Sequence, residues 1–302
     1  MLASLQMFGF MALWSPFFFL LLLLIGAFYA LLVGPWRRKW ATEHPPSRKQ
    51  KTYFYTGLVL LYVIKGSPID LLGHLMFSVH MTQMAILYLI VPQCFILGIP
   101  NGMYEKLFRV DAIKRVYAFL TKPLIALLLF NGLFSFYHVP FIFDVIKTNM
   151  IYHATVTTIL FIAAWCMWWP VINKLPEWQT LSGIKKVGYI FANGVLLTPA
   201  CALIIFADTP LYRTFSDPSA WLNALQLCVP SSTLASLHLT GPEMFLSMSL
   251  LNDQQLGGVL MKIIQEIVYG TMLFFIFIDW YQKEREKEPQ ETVVSPHPSE
   301  SS

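Results

Sequence analysis

The chain has 302 residues, of which 56% are hydrophobic and 13% charged, and its formal net charge is +4. Soluble domains carry about 25% charged residues, so this composition excludes an ordinary water-soluble globular protein and indicates an integral membrane protein. The basic residues lie between apolar stretches, and no basic patch is interleaved with aromatic residues. The charge therefore reports membrane topology and gives no indication of nucleic-acid binding.

Seven stretches are candidates to cross a bilayer, which takes about 20 residues of helix. In chain order they are Trp14–Gly34, Tyr53–Lys65, Leu71–Gly98, Leu124–Phe143, Met150–Ile172, Val187–Ala207 and Leu256–Trp280. The second is the shortest, and the third is long enough to tilt or to kink at Pro92. The sequence predicts an all-α polytopic bundle of seven transmembrane helices within residues 1–282.

The basic residues then predict the orientation. Three alternate loops carry most of them, namely Arg37, Arg38, Lys39, Arg48, Lys49 and Lys51 in the first, Lys106, Arg109, Lys114, Arg115 and Lys122 in the second, and Lys174, Lys185 and Lys186 in the third. The intervening loops carry only Lys65, Lys147 and Arg213. Cytoplasmic loops are enriched in Lys and Arg, so we expect the N-terminus outside and the C-terminus in the cytoplasm. No basic residue precedes the first stretch, which argues against a cleavable signal peptide.

Two segments outside the predicted helices follow from this topology. Residues 208–255 become a large external loop, in which Trp221–Leu239 is predicted as an interfacial or re-entrant helix. Residues 283–302 are charged and then rich in Pro and Ser, which predicts a disordered cytoplasmic tail.

The third stretch carries the first candidate metal ligands. On a continuous helix Met76, His80, Gln83 and Met84 share one face. Thioether sulfur selects Cu(I) and imidazole is a common copper ligand, so His80 with Met84 is typical of a Cu(I) site. The alternative, equally weighted for this face alone, is that the methionines pack flexibly and His80 forms an interhelical hydrogen bond.

Further histidines fall on the same predicted outer side. His138 lies about a turn and a half from the outer end of the fourth stretch, just before Pro140, and His153 lies one turn into the fifth. His74 lies outermost on the third stretch, about 120° from the His80 face, and is either an entry ligand or an interfacial residue. Histidine inside a bilayer is costly and usually buried, and although each alone is more often structural, the shared depth favours a ligand set of His80, Met84, His138 and His153, with His74 in addition.

The seventh stretch carries a second polar group. Asp253, Gln254, Lys262, Gln265 and Glu266 form an intramembrane polar stripe. Lys262 and Glu266 are four residues apart, so we expect them to pair and to face the bundle, as a packing clamp or as part of a proton or ion path.

Cysteines and enzyme motifs give weaker signals. Cys94, Cys166, Cys201 and Cys228 form no CxxC pair and fit small buried apolar residues, although a Cys201–Cys228 disulfide stays open. HExxH, GxSxG and Walker patterns are absent, so nothing indicates an enzyme of those types. Paired intramembrane histidines also leave haem binding open.

Four stretches of the chain resemble one known family. They are Gly66-Ser67-Pro68 with Leu75-Met76-Phe77-Ser78-Val79-His80-Met81-Thr82-Gln83, then Phe136-Tyr137-His138-Val139-Pro140, then Trp168-Trp169-Pro170-Val171, and last Asp253 to Gly270. With these, the chain resembles the multi-span CtaG family of assembly factors for bacterial cytochrome c oxidases, from about residue 10 to 285.

The resemblance implies a multi-pass protein of the bacterial cell membrane that acts in making an active oxidase, at the stage of copper insertion. Its expected partners are the oxidase subunit that holds the buried copper, an extracytoplasmic copper carrier and the lipid bilayer, and it is not an enzyme. Many family members have a second His after the Gln of the third stretch, where this chain has Met84, and some have one soon after His153, where it has Thr157. Methionine in place of histidine keeps a Cu(I) site plausible and argues against zinc or Cu(II).

Two other functions stay open from the residues alone. A transporter for copper or another small solute predicts a continuous polar path, and Lys262 with Glu266 offers only a patch near the membrane midplane. A membrane-embedded metal enzyme needs an acid or base beside the metal, for which Asp144, Asp208 and Asp253 lie on the predicted outer side.

Overall fold

The fold is described by a computed structural model that covers residues 5–40 and 45–285. Within these residues the regular elements are helices, with no β-strand, which agrees with the predicted all-α class. In chain order the α-helices are α1 (Phe10–Trp14), α2 (Pro16–Val33), α3 (Arg37–Trp40), α4 (Arg48–Lys65), α5 (Pro68–Leu75), α6 (Phe77–Ala85), α7 (Val91–Gly98), α8 (Asn101–Leu107), α9 (Asp111–Leu120), α10 (Pro123–Tyr137), α11 (Pro140–Lys147), α12 (Met150–Ile172), α13 (Gly183–Ile205), α14 (Pro218–Leu225), α15 (Ser231–Ser236) and α16 (Leu250–Arg285).

Several of these helices are long and apolar enough to cross a membrane. Five qualify individually or as continuous runs, namely Phe10–Val33, Phe77–Gly98, Met150–Ile172, Gly183–Ile205 and Leu250–Arg285. Two bent pairs, α4 with α5 at 47° and α9 with α10 at 70°, raise the number to seven if each pair crosses as one span. The protein is therefore a multi-pass membrane protein with five to seven spans.

The predicted third stretch, Leu71–Gly98, is wrong as a single helix. The chain is extended at Met76, so α5 ends at Leu75 and α6 begins at Phe77. The cause is a buried acid far along the chain: Asp253 on α16 accepts hydrogen bonds from the Phe77 amide at 2.7 Å and from the Ser78 hydroxyl. This carboxylate caps the new helix, because the first N–H groups of a helix lack intrahelical partners.

Proline positions explain two further differences. Before Pro92 the chain forms a π-helix over Ile86–Ile90 instead of a sharp kink, and this wider turn accommodates the missing proline N–H. The fourth stretch ends at Tyr137 and not at the predicted Phe143. His138 caps the C-terminus of α10, and Pro140 then starts α11.

Close approach to α16 holds the centre of the bundle together. A Cβ at Gly257 would lie 2.8 Å from the Phe77 ring on α6, and a Cβ at Gly258 would lie 2.7 Å from Ile205 on α13. Only glycine fits at these two positions, so α16 packs tightly between α6 and α13. The remaining core is aromatic, and the buried Trp168 donates its indole N–H to the Tyr88 carbonyl at 3.1 Å.

The segment between α13 and α16 folds over one end of the bundle. Its buried residues Trp221, Leu225 and Phe245 cluster with Leu71 and Leu75 of α5. The predicted helix Trp221–Leu239 is wrong as one element, because Pro230 separates α14 from α15. This packing makes the segment an ordered cover above α5.

Three other predictions can be placed. All four cysteines are free thiols, so the structure contains no Cys201–Cys228 disulfide. The predicted seventh stretch is longer than expected, since α16 runs on to Arg285. The predicted disordered tail, residues 283–302, lies outside the described residues from position 286 onward.

Candidate functional site

Four histidines gather where α5, α6, α11 and the start of α12 meet, and we call this region the histidine end. His74 and His80 are each 3% exposed, His138 is fully buried and His153 is partly exposed. The imidazole of His80 lies within electrostatic range of the other three. Residues from separate parts of the chain, all predicted as ligands, are thus brought to one region.

His138 is held ready to act as an acceptor. Its Nδ1 lies 2.7 Å from the Phe134 carbonyl oxygen. A carbonyl only accepts, so Nδ1 carries the proton and Nε2 keeps its lone pair. Nε2 is buried and has no hydrogen-bond partner. Metal-binding histidines commonly donate the other ring N–H to a carbonyl in this way.

His80 lies beside a cation that the sequence interpretation passed over. The Nζ atom of Lys147, at the end of α11, is 3.5 Å from His80 Nδ1, while His80 Nε2 is buried without a partner. Lys147 is 1% exposed and lies over the ring of Phe215. Burial, reinforced by the charge of Lys65, lowers the pKa of Lys147 to about 7. Its only signal in the sequence was a single Lys in the short connection between the fourth and fifth stretches, where it was counted as a loop charge.

His74 and His153 form the closest pair of imidazoles. Their ring centroids are 5.9 Å apart, and His74 Nδ1 is buried without a hydrogen-bond partner. Ring nitrogens bind metals at about 2.0 Å and lie roughly 1 Å from the ring centre, so rings at this separation can share one ion. The sequence predicted that His74 lies about 120° from the His80 face of one continuous helix. This prediction is wrong, because the helix is broken at Met76 between the two residues.

The predicted ligands do not form one preformed centre. Within residues 5–40 and 45–285, no three His, Cys, Asp or Glu side chains are placed to hold one metal ion. Met84 is buried one turn beyond His80 on α6, whereas Met76 lies at the helix break. The region therefore contains buried imidazole and thioether groups, which are common metal donor types, without the closed geometry of a structural metal site.

A polar lock holds the short helix α5 against α6. The Gln83 amide donates to the carbonyls of Ile64 at 2.6 Å and Ile69 at 3.1 Å. A Cβ at Gly73 would lie 1.8 Å from Gln83 Oε1, so this position requires glycine. Asp70 completes the lock through an ion pair with Lys65 at 2.7 Å. The position of His74 on α5 depends on this lock.

The covering segment is tied directly to the histidine end. The Tyr212 hydroxyl donates to the His138 carbonyl at 2.8 Å. Asp144 on α11 accepts from the amide N–H groups of Arg213 at 3.1 Å and Thr214 at 3.0 Å. Asp144 therefore acts as an anchor for the cover, a contact that sequence spacing gave no means to predict.

The predicted polar stripe on α16 divides into two groups. Asp253 and Gln254 are buried at the histidine end, where Gln254 accepts from the Leu211 amide at 2.7 Å. Lys262, Gln265 and Glu266 lie in the middle of the helix. Lys262 pairs with Glu266 at 2.9 Å, as expected, but the Glu266 side chain is 63% exposed, so the prediction that the pair faces the bundle is wrong. Gln265 takes the inward position instead.

Comparison with known proteins identifies the family. The family model described as cytochrome c oxidase caa3 assembly factor (Caa3_CtaG) matches residues 27–283. The chain belongs to this family. No curated protein and no solved structure matches the chain. The match spans most of the helices and all four histidines of the histidine end, which confirms the resemblance read from the sequence.

Proposed function

We propose that this caa3 assembly factor binds Cu(I) at the histidine end and passes it to the oxidase subunit that holds the buried copper. One observation carries the proposal: His74, His80 and His138 each keep a buried ring nitrogen without a hydrogen-bond partner. An unsatisfied buried polar atom costs about 1–3 kcal/mol. At His138, where Nε2 keeps its lone pair, a metal ion that binds this nitrogen offsets that cost.

The donor set supports a cargo ion and not a resident one. The His74–His153 pair provides two imidazole donors, and Met84, one turn from His80, carries a soft thioether sulfur, which suits the low coordination number of Cu(I). Incomplete coordination lets an incoming ligand from a partner join before the first ligand leaves. Transfer then proceeds by ligand exchange: metal–ligand bonds to the partner form as those to this protein break, with no change of oxidation state.

In this proposal the histidine end lies outside the cell, the orientation that the distribution of basic residues predicts. Copper reaches it from the outer side, from an extracytoplasmic copper carrier, and the acceptor lies at a similar depth in the neighbouring oxidase. In this proposal the protein is an assembly factor of the bacterial cell membrane and carries out no chemical conversion of its own.

Packing below the histidines argues against transport across the membrane. Towards the other end of the bundle the core is filled by Tyr88, Phe130, Trp168 and Trp169, each at most 1% exposed. These four aromatic side chains fill much of the described core, which favours a closed bundle over a wide polar channel. Delivery on one side of the membrane fits this arrangement better than passage through it.

The test is oxidase maturation under copper limitation. In copper-depleted medium, the oxidase of a deletion strain should contain less copper and have little activity. The wild-type gene should restore both the copper content and the activity. A His138→Gln variant that accumulates normally should fail to restore them. Full copper occupancy of the oxidase in the deletion strain would contradict the proposal.

A further inference from the structure

The Lys262–Glu266 pair lies on the outside of the bundle. The Glu266 side chain is 63% exposed and that of Lys262 is 30% exposed. Apolar side chains flank the pair on the same surface, with Phe191 70%, Ile263 49% and Ile267 63% exposed. We call this surface of α13 and α16 the polar membrane face.

The pair also lies near the middle of the membrane. The acidic residues of α16 nearest to Glu266 are Asp253 on one side and Asp279 on the other, and Glu266 lies midway between them. At 1.5 Å per residue, each is about 20 Å away along the helix, while half the hydrocarbon thickness is about 15 Å. Thr198, which contacts Lys262, is within one residue of the midpoint between Lys186 and Asp208 around α13.

The donor N–H groups of Lys262 are all used within the protein, whereas the Glu266 carboxylate can still accept hydrogen bonds. Lys262 Nζ donates to Thr198 Oγ1 at 3.1 Å, to Gln265 Oε1 at 3.4 Å and to Glu266 Oε1 at 2.9 Å, which uses its three N–H groups. Gln265 also donates to Glu266 Oε1. Among the described residues, none donates to Glu266 Oε2, so this oxygen of an exposed carboxylate has no hydrogen-bond donor within the protein.

Lipid cannot supply what is missing. Hydrocarbon offers no hydrogen-bond donor, and charged side chains at this depth are costly unless they pair with protein or line a water-filled cavity. Beside the pair is a shallow groove of about 180 Å³ lined by Gly194, Thr198 and Tyr269. Gly194 faces α16 of this chain, since a Cβ there would lie 3.4 Å from Gln265 Nε2 and 3.7 Å from the Tyr269 ring.

We infer that the polar membrane face docks a transmembrane helix of the oxidase subunit, through a hydrogen-bond donor that meets Glu266 at mid-depth. A second copy of this chain fits poorly, because twofold symmetry about the membrane normal would bring Glu266 opposite Glu266, acceptor against acceptor. The donor on the partner helix is a hydroxyl, amide, indole or cationic side chain, which donates a hydrogen bond to the Glu266 carboxylate. The inference rests on the proposed function for the identity of the partner.

The experiment is site-specific photocrosslinking in cells that are assembling the oxidase. Benzoylphenylalanine is placed at Ile267, beside Glu266, and for comparison at Ile162 on α12, an apolar position that is 52% exposed. We expect an ultraviolet-dependent adduct with an oxidase transmembrane subunit, identified by mass spectrometry, at least tenfold stronger from Ile267. Adducts with lipid alone, with a second copy of this chain, or of equal yield from Ile162 would overturn the inference.

Variants of Glu266 test the role of the carboxylate. Glu266→Leu should remove most of the adduct, whereas Glu266→Gln keeps an acceptor oxygen and should retain part of it. The double variant Lys262→Leu/Glu266→Leu leaves no unpaired charge and replaces the single variant if that one does not accumulate. An adduct unaffected by the loss of Glu266 contradicts the inference.

The two proposals fail differently. If the deletion strain assembles a fully active oxidase, the proposed function fails. If the deletion strain lacks active oxidase but Ile267 gives no adduct with an oxidase subunit, the proposed function stands and the docking inference fails.

Discussion

The histidine end and the polar membrane face differ in the burial and in the partners of their polar groups. At the histidine end the polar atoms are buried, and three imidazole nitrogens have no partner although they are shielded from solvent. At the polar membrane face the charges are paired at 2.9 Å, yet Glu266 is turned out of the bundle. In the two proposals, the first region binds a metal ion inside the protein and the second binds a helix of a neighbouring protein.

The difference shows how geometry separates a binding site from an interface. Neutral imidazoles in an enclosed space accept a metal ion without burying any new surface. A carboxylate on an exposed helix face needs a donor that arrives with its own surrounding surface, which in a bilayer means another helix. An assembly factor requires both, since the metal must be held and the recipient must be positioned.

The largest effect is expected at Asp253, which supports the histidine end alone. Asp253→Ala removes the acceptor for the Phe77 amide and the Ser78 hydroxyl, both buried. Hydrogen bonds to charged groups contribute about 1.5–3 kcal/mol each, so α6 should lose its cap and the protein about 3 kcal/mol of stability. Thermal unfolding in detergent measures this loss.

Asp208→Ala is the matched control, because Asp208 is exposed and changes there should stay within about 0.5 kcal/mol. Equal unfolding temperatures for the two variants would refute the capping role of Asp253.

A smaller loss is expected at Gly73. An alanine Cβ displaces the Gln83 amide, which then leaves the Ile64 and Ile69 carbonyls without their donor. The cost should be about 1–3 kcal/mol, together with weaker copper binding because His74 shifts with α5. Unfolding temperature and copper content are measured side by side. Gly132→Ala serves as control, since a Cβ there meets no atom within 4 Å, and a Gly73→Ala protein as stable as this control would show that the lock is unimportant.

Substitution of Lys147 should increase the stability of the protein, whereas the two substitutions above decrease it. Lys147→Met removes a buried cation and is expected to raise the unfolding temperature by a few degrees. Since the folded pKa is lowered to about 7 from 10.5, the burial cost is fully present below pH 7 and disappears towards pH 10.5. The gain should therefore be greater at pH 6 than at pH 10. A gain independent of pH, measured in the same detergent, would mean that Lys147 is not buried as a cation.

The smallest effect on copper is expected from Glu266→Leu, which acts on the other region. Its carboxylate lies in the middle of α16, whereas the histidines lie at the end where Asp253 is buried. Copper binding by the purified variant should equal that of wild type while oxidase activity in cells falls. Loss of copper from this variant would show that the two regions are not independent.

Much of this arrangement could be predicted from the sequence, and the exceptions have a common cause. The helical regions and the four histidines followed from apolar runs and from the cost of histidine in a membrane. The break at Met76 did not, because it depends on Asp253, which is 176 residues from Phe77 in the chain. Local periodicity describes one helix at a time and contains no information on such a cap.

The hydrophobic periodicity of the sequence also failed to predict which side chains of α16 are exposed. Lys262 and Glu266 were expected to face the bundle because charges avoid lipid. The packing of α16 is instead set by Gly257 and Gly258, which fix the rotation of the helix against α6 and α13. Met261, Gln265 and Tyr269 then point inward, and the ion pair one position further round faces outward.

The most direct test of the central claim is the copper content of purified protein loaded anaerobically with Cu(I), for wild type, His80→Ala, His138→Gln and Glu266→Leu. Bound copper in wild type and Glu266→Leu, with loss in both histidine variants at unchanged unfolding temperature, is the result we predict. No copper in wild type, or full copper in both histidine variants, would contradict a copper-carrying role for the histidine end.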